Sequence, residues 1–191
     1  MLAYKGMRGD MTCTLGKGTF QYEEGQTIVE DSSKCARTGL HCTEYPFECF
    51  RWYPVGEGTR YFEVEAAGSI DEDGSDAKIS CTEMTIRREL NLFQMAARAM
   101  MYIVAHPTRE WKIKGRMLDV SPDKAEGKGR GSIAIARGCR PVVRGAAGSV
   151  MGLLVEDESG DIISAKVFEV KGDVEPGIWY TLSGRELEVA E

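Results

Sequence analysis

The sequence has no long apolar segment, few histidines and few prolines. None of its apolar runs approaches the 18 or more residues that a membrane-spanning helix needs, and residues 1–6 lack the apolar stretch of a signal peptide. The chain of 191 residues holds only 2 histidines and 6 prolines. We therefore expect a cytoplasmic protein without a helical membrane anchor.

The cysteines are not arranged as metal ligands. Structural zinc sites usually pair cysteines two to four residues apart, whereas Cys35, Cys42 and Cys49 are each seven apart, with His41 among them. In a chain without a secretion signal, cysteines are typically reduced. The sequence therefore predicts free thiols, no metal and no cofactor. The six are Cys13, Cys35, Cys42, Cys49, Cys81 and Cys139.

Basic residues are outnumbered overall but concentrated in one stretch. The formal charge is −6, with 24 Lys and Arg against 30 Asp and Glu, which argues against a protein coated with positive charge for non-specific nucleic-acid binding. Residues 1–111 carry a net −5, residues 112–144 a net +6 and residues 145–191 a net −7. A local anion site, an internal electrostatic pairing and an ordinary mixed surface all fit this distribution.

The periodicity of apolar residues predicts an α+β protein with a boundary between residues 107 and 114. A mixed α/β module is expected over 1–110, with a short helix from Pro46 that stops before Pro54 and a helix from Leu92 to about Ala105. It should also contain a half-buried alternating strand at Arg60–Ala66, with Phe62, Val64 and Ala66 on its buried face. The aromatic residues of the short helix and the methionines of the long one should face the core.

Glycine dominates the remaining part. There are 22 in the chain, about 12% against a usual 7%, and Gly131, Gly138 and Gly145 are seven apart. Short β-prone runs between them predict a Gly-rich short-strand β-roll or β-sheet region over 111–191. Two hairpins should follow, one joining 150–155 to 162–170 and one joining 178–182 to 185–189.

Several short motifs occur here in one order: Ala3-Tyr4-Lys5-Gly6, Gly39-Leu40-His41-Cys42, an aromatic helix ending in Trp52-Tyr53-Pro54, Tyr61–Ala66 and Gly177-Ile-Trp-Tyr-Thr-Leu. In this the chain resembles an uncharacterised family of phage and prophage proteins whose N-terminal module precedes Gly-rich repeats. The resemblance implies a phage-type accessory protein in an infected bacterial host, and no particular activity.

A fainter resemblance is to the ADP-ribosyltransferase-like fold. It implies an NAD site formed by Tyr4, Lys5, His41, Glu63 and Glu65. Lys5 stands where that fold has Arg or His, and its Ser-Thr-Ser segment is missing here. In such an enzyme Glu65 would stabilise the oxocarbenium-like ribose as nicotinamide leaves.

The pair Glu63 and Glu65 and the acidic segment 71–76 each have an interpretation that involves no functional site. Glu63 and Glu65 share one face of a strand, which suits acid–base catalysis but equally suits the wet face of a sheet. The segment 71–76 resembles a calcium loop but has Thr82 where an EF-hand needs an acidic ligand. We interpret it as a solvated turn.

The strongest functional signal is a basic cluster interleaved with Gly127, Gly129 and Gly131. Arginine binds phosphate through paired hydrogen bonds, and glycine lets backbone amides approach an anion. The pattern is not a Walker loop, because Pro122 stands where its first glycine belongs. The predicted anion or partner site comprises Lys128, Arg130, Arg137, Arg140 and Arg144, with Lys124 beside them.

Three functions remain open from the sequence. The first is a non-catalytic phage protein that binds and inhibits a host defence protein or complex, as an anti-CRISPR protein does, or sequesters a signalling nucleotide or other phosphate-bearing ligand. The second is an ADP-ribosyltransferase-like NAD-binding protein or enzyme. The third is a phage structural or assembly component that uses the Gly-rich β segment for homo-oligomer contacts.

Overall fold

A computed structural model describes residues 1–15, 18–56, 58–72, 74 and 77–190. Strands account for 54% of the chain and helices for 11%, so the fold is β-rich. The chain forms two compact units, Met1–Asn91 and Leu92–Glu191. The division precedes the expected boundary near residue 110 because the long helix that begins at Leu92 packs on strands of the second unit.

The first unit is therefore mainly β rather than the predicted mixed α/β module. Its helical residues, among those described, are a 3-10 turn at Pro46–Glu48 and the four-residue helix α1, Cys49–Trp52. Its strands are β1 Leu2–Arg8, β2 Thr12–Leu15, β3 Gly18–Gln21, β4 Thr27–Val29, β5 Leu40–Thr43, β6 Thr59–Glu72 and β7 Lys78–Leu90.

Four of these strands close into a ring. β1 pairs antiparallel with β5 and β6, and both of these pair antiparallel with β7. Alternate residues point into the ring, so the predicted buried face of β6, formed by Phe62, Val64 and Ala66, is confirmed. The interior also contains Ala3, Met7, Leu40, Cys42, Ile79, Cys81, Met84 and Ile86.

The aromatic helix covers the outer side of the ring. Pro46 begins the 3-10 turn, and α1 ends at Trp52, before Pro54, as predicted. Phe47 is fully buried, and the Phe50 and Tyr61 rings meet edge to face with centroids 4.7 Å apart. Burial of this cluster attaches the helix to β6, but Trp52 is 65% exposed, so the prediction that the aromatic residues of this helix face the core is confirmed only in part.

The second unit begins with α2, Leu92–Ala105, which confirms the predicted helix. Both predicted hairpins are also present, as β11–β12 and β13–β14. The strands are β8 Ile113–Lys114, β9 Leu118–Gly127, β10 Ile133–Gly145, β11 Val150–Glu156, β12 Ile162–Glu169, β13 Tyr180–Ser183 and β14 Glu186–Val189.

β9, β10 and β11 run parallel although only short loops join them. β9 bends at Asp123, which has a positive φ of 58°, and β10 bends where its register shifts between Arg137 and Val142. The residues before the bends, with β11 and β12, form a first layer. Those after the bends, with β13 and β14, form a second layer.

Small residues let the two layers approach. The core between them consists of Ala125, Ala134, Ala136, Val143, Met151, Leu153, Phe168, Val170 and Tyr180. Gly127 and Gly145 are register partners, and a Cβ on either would lie within 2.9 Å of the Met151 methyl group. The glycine requirement at these two positions is therefore one of space.

The structural repeat is longer than the seven-residue glycine spacing. Ile133 is paired with Leu118 on one side and with Val150 on the other, so equivalent residues are 15 and then 17 positions apart. On the outer side of the first layer, α2 packs so closely that a Cβ at Gly152 would lie 2.6 Å from Met100 Sδ. Met95 and Met100 thus pack in the core, whereas Met101, which was also expected to face it, is 59% exposed, so that prediction is confirmed only in part.

Neither helix in the described residues has the length and apolarity needed to cross a membrane. The calcium-loop candidate at 71–76 includes Asp73, Ser75 and Asp76, which lie outside the described residues. Among the residues that are described, no three His, Cys, Asp or Glu side chains are grouped to hold a metal ion.

Candidate functional site

The basic cluster of the second unit divides into three groups with different surroundings. Arg137 is buried, Lys124 and Arg144 flank a tryptophan, and Lys128, Arg130 and Arg140 are exposed. The sequence predicts one continuous site, and the structure brings only some of its members together.

Arg137 is enclosed by groups of its own unit. Its side chain is 8% exposed, and its Nε lies 2.5 Å from Glu156 Oε1. Nη1 donates to the Pro107 carbonyl at 2.9 Å, and the guanidinium lies 5.1 Å from the centre of the Trp111 ring. These contacts use both edges and a face of the guanidinium, so Arg137 is a stabilising residue within the fold.

Lys124 and Arg144 converge on Trp179. Lys124 Nζ lies 4.1 Å and Arg144 Cζ lies 4.6 Å from the centroid of the Trp179 ring. At these distances a cation is attracted to the ring. Val143 pairs with Tyr180 and both point into the core, so the neighbouring Arg144 and Trp179 point outward from the second layer.

The flanking contacts hold this arrangement in place. Arg144 is ion-paired to Glu126 at 2.9 Å, and the Thr181 hydroxyl donates to the Pro141 carbonyl at 2.8 Å. We call this outer side of the second layer the Trp179 face, and define it by Lys124, Glu126, Arg144, Trp179 and Thr181. It is a half-buried, strand-borne surface with an aromatic centre.

The exposed members of the cluster lie on the adjoining loop and bend. Lys128 and Arg130 lie between β9 and β10, Arg140 lies in the bend of β10, and none of the three has an ion pair among the described residues. The glycine amides beside them are occupied, since Gly131 N donates to the Gly148 carbonyl and Gly129 N to Ser132 Oγ. A ligand would therefore meet side chains here rather than a cradle of free amides.

The five residues of the implied NAD site lie on opposite sides of the first unit's sheet. Tyr4 and Glu63 are register partners and share one face, while the Lys5 side chain points into the ring. Glu63 is paired with Arg88 at 3.2 Å, and Glu65 is paired with Arg87. The Arg87 hydrogen bond and charge lower the pKa of Glu65, and each of the two carboxylates is engaged by an arginine.

Lys5 and His41 do meet, through the backbone of His41. Lys5 Nζ donates to the His41 carbonyl at 2.6 Å and lies 5.0 Å from the centre of the Tyr22 ring. Burial lowers the pKa of Lys5, but the neighbouring tyrosine and cysteine groups, Tyr22 first, together raise it above its ordinary value, so the ammonium is retained. Burial and then the Lys5 charge lower the pKa of His41, and its Nε2 accepts from the Ala36 amide at 3.0 Å.

All six cysteines are free thiols, and five of them are buried. Burial raises the pKa of Cys49 to about 12. Cys42 and Cys81 point into the ring from neighbouring strands, and the hydrogen bond that Cys42 donates to Cys81, together with burial, raises the pKa of Cys42. Cys42 and Cys49, whose pKa values are both raised, are therefore protonated core thiols at neutral pH.

Sequence reasoning missed the aromatic partners of the basic residues. Trp179 and Trp111 each carry a cation on the ring, yet neither stands out in the sequence. One signal was available for Trp179: it lies in a predicted strand and alternates with Tyr180, so one of these two large rings must point away from the core.

Comparison with known proteins identifies the first unit only. Residues 1–98 match the model of a family described as a Domain of unknown function (DUF7666). That range covers the first unit and the first half of α2, and the Trp179 face lies beyond it. No curated protein and no solved structure matches the chain.

Proposed function

We propose that this chain, which belongs to the DUF7666 family, is a non-catalytic binding protein that holds an acidic surface of a partner protein against the Trp179 face. The observation that carries the proposal is the convergence of Lys124 and Arg144 on a half-buried Trp179. Tryptophan and arginine are the residues most enriched at the energetic centres of protein interfaces.

The shape of the face favours a protein over a small nucleotide. Nucleotide sites are usually concave and enclose most of the ligand, whereas the Trp179 face is the outer side of paired strands. The neighbouring glycine amides, which a phosphate would need, are already bonded within the unit. An extended partner surface would meet the accessible part of the ring and the two cations without entering a pocket.

The cationic side chains of the Trp179 face are already ordered in the unbound protein. The Glu126 carboxylate orients Arg144, and the indole restricts both cations to its vicinity. Side chains that are already ordered lose less conformational entropy when the complex forms. A carboxylate on the partner would reach the Lys124 ammonium and the Arg144 guanidinium, while an apolar group of the partner covers the Trp179 ring.

The state of the first unit's carboxylates supports a binding role rather than transferase chemistry. Glu63 and Glu65 are each engaged by an arginine, and Lys5 lies on the other side of the sheet from them. For the partner's identity we propose a host defence protein of the infected bacterium, as the phage-type resemblance implies. An acidic patch on that protein is the chemical requirement.

The test compares binding and counter-defence in matched variants. Tagged protein is expressed in bacteria carrying a panel of defence systems, and we measure phage plating and co-purification of the defence components. We expect Trp179→Ala and the double variant Lys124→Glu/Arg144→Glu to lose both. The control Lys112→Glu/Lys114→Glu has the same charge change on exposed residues of the same unit and should retain both.

Circular dichroism and thermal unfolding establish that each variant is folded. Equal plating in all hosts with and without the defence systems would contradict the counter-defence role. Normal capture of the partner by the Trp179 variants would contradict the assignment of the Trp179 face.

A further inference from the structure

Strand β12 ends its sheet with an open edge. In the described chain it pairs with β11 alone, at the end of the order β12-β11-β10-β13-β14. An unpaired strand edge presents a row of backbone donors and acceptors to any strand of matching shape.

A groove of about 440 Å³ follows this edge. Four consecutive residues of β12 line it, Ile163 to Lys166, together with Arg185 from the β13–β14 turn. Consecutive residues of a strand point to opposite faces of a sheet. A groove lined by all four therefore runs along the backbone edge rather than over either face.

The turn beside the groove is fixed to β12. Ser164 Oγ donates to the Gly184 carbonyl at 2.8 Å, and Lys166 Nζ donates to the Arg185 carbonyl at 3.1 Å. Both bonds connect the inner side of β12 to the second layer. They hold Arg185, which has no acidic partner among the described residues, beside the groove that it lines.

We propose that β12 pairs antiparallel with β12 of a second copy of this chain, around a two-fold axis that passes at Ile163. A two-fold axis normal to the sheet keeps the faces of both copies aligned and makes the contact self-complementary. In this register Ile163 lies opposite Ile163 of the second copy, and Ala165 lies opposite Asp161.

The charge along β12 fits its own reversed copy. The turn before the strand contains Glu158 and Asp161, while Lys166 lies near the end of the groove and Arg185 beside it. Antiparallel pairing brings the acidic turn of each copy beside the basic end of the other. Parallel pairing would place like charges together and is therefore unfavourable.

Apolar burial adds to this complementarity. Ile163 is 65% exposed in the single chain, and the two-fold axis covers it with the same residue of the second copy. Cross-strand pairs of β-branched residues stabilise antiparallel sheets. Because one strand pair is a small interface, we expect a concentration-dependent dimer with a dissociation constant of roughly 10 μM to 1 mM.

Sedimentation velocity at protein concentrations from about 5 μM to about 1 mM tests the proposal directly, because these concentrations cover roughly the range of dissociation constants expected for such an interface. The expected result is a shift from monomer to dimer with rising concentration. Ile163→Lys, which places two like charges on the axis, should shift the dissociation constant upward by at least about tenfold. The matched control is Val189→Lys, because Val189 is 63% exposed on β14, the other end of the sheet.

Cross-linking tests the register independently. In a Cys139→Ser background, Ile163→Cys should form an intermolecular disulfide under mild oxidation, since directly opposed residues have Cβ atoms about 5 Å apart. Val189→Cys should not form one. Two cysteine thiols lose their protons and two electrons to the oxidant, copper phenanthroline with oxygen, as the S–S bond forms.

Three outcomes would overturn the proposal. A chain that stays monomeric at the highest concentration leaves the groove for a segment of a different protein. A dimer that Ile163→Lys does not weaken lies elsewhere, and a dimer lost in Val189→Lys alone lies on β14. Trp179→Ala should leave the dimer intact, so this test and that of the Trp179 face fail independently.

Discussion

Among the described residues each unit buries one basic side chain, and the two do so by different means. Lys5 lies inside the ring of the first unit with a backbone carbonyl and an aromatic ring as its contacts. Arg137 in the second unit has a carboxylate, a carbonyl and an aromatic ring. A cation held by neutral groups leaves no charged partner behind when it is removed, whereas a cation held by a carboxylate does. The same kind of substitution should therefore have unequal effects in the two units.

The largest effect is expected from Arg137→Met. Glu156 would keep its charge without its partner in a site that is only 20% exposed, and breaking a buried ion pair typically costs about 3 kcal/mol or more. We expect that loss in the free energy of unfolding of the second unit. Urea unfolding followed by the ¹⁹F resonances of 5-fluorotryptophan at Trp111 and Trp179 measures it. Arg140→Met, an exposed control, should change little.

The second effect is a loss of stability at alkaline pH that is confined to the first unit. The pKa of Cys49 is raised to about 12 by burial, whereas an unfolded thiol titrates near 8.5. Between these values the unfolded chain releases a proton that the folded chain keeps, so the unfolding free energy falls as pH rises, by about 1.4 kcal/mol per pH unit.

Cys49→Ala should reduce this slope by the contribution of one proton, about 1.4 kcal/mol per pH unit. Urea unfolding at several pH values above 8, reported by 5-fluorotryptophan at Trp52, gives the slope for both proteins. The Cys139→Ala control, whose thiol is exposed in the folded chain, should retain the wild-type slope. Equal slopes in wild type and Cys49→Ala would show that the Cys49 thiol is accessible to hydroxide in the folded unit.

A smaller effect is expected from Lys5→Met, the matched counterpart of Arg137→Met. The apolar side chain fits the ring interior and leaves only the His41 carbonyl without its donor, so the unfolding free energy should fall by about 1 to 2 kcal/mol. The Trp52 resonance measures it under the same conditions. A loss equal to that of Arg137→Met would mean that Lys5 neutralises an acidic group.

The smallest effect is expected from Glu65→Gln. This carboxylate forms an exposed pair with Arg87 on the surface of β6, and exposed pairs contribute little to folding. The thermal midpoint should be unchanged. Incubation with labelled NAD is the second measurement: transfer or hydrolysis by the wild type that Glu65→Gln abolishes would contradict the non-catalytic role.

The elements that follow from local sequence were predicted well. The limits of α2, both C-terminal hairpins and the buried face of β6 depend on periodicity and turns within about 20 residues, and the structure confirms them. The parallel pairing of β9, β10 and β11 depends on distant segments and was expected only as an unspecified roll or sheet. The ring of the first unit was not predicted, because its closure joins β1 to β6 and β5 to β7.

In the candidate site, too, contacts between residues distant in sequence were not predicted. Charged residues are usually exposed, so Arg137 was placed with its neighbours on the surface, and its burial depends on Glu156, Pro107 and Trp111 meeting in space. Likewise, Trp179 meets Lys124 and Arg144 from strands far earlier in the chain. A pattern in sequence identifies the residue types available to a site, but not which of them the fold places together.

The parallel strands of the second unit restrict how its length can change during evolution. A single residue inserted into β10 would reverse the orientation of every following side chain in that strand, turning Val143 outward and Arg144 into the core. An insertion equal to one whole turn of the roll, such as a copy of residues 133–149, would instead add one strand to each layer and repeat the existing pairings. Length variation among descendants of this protein should therefore occur in steps of about 15 to 17 residues.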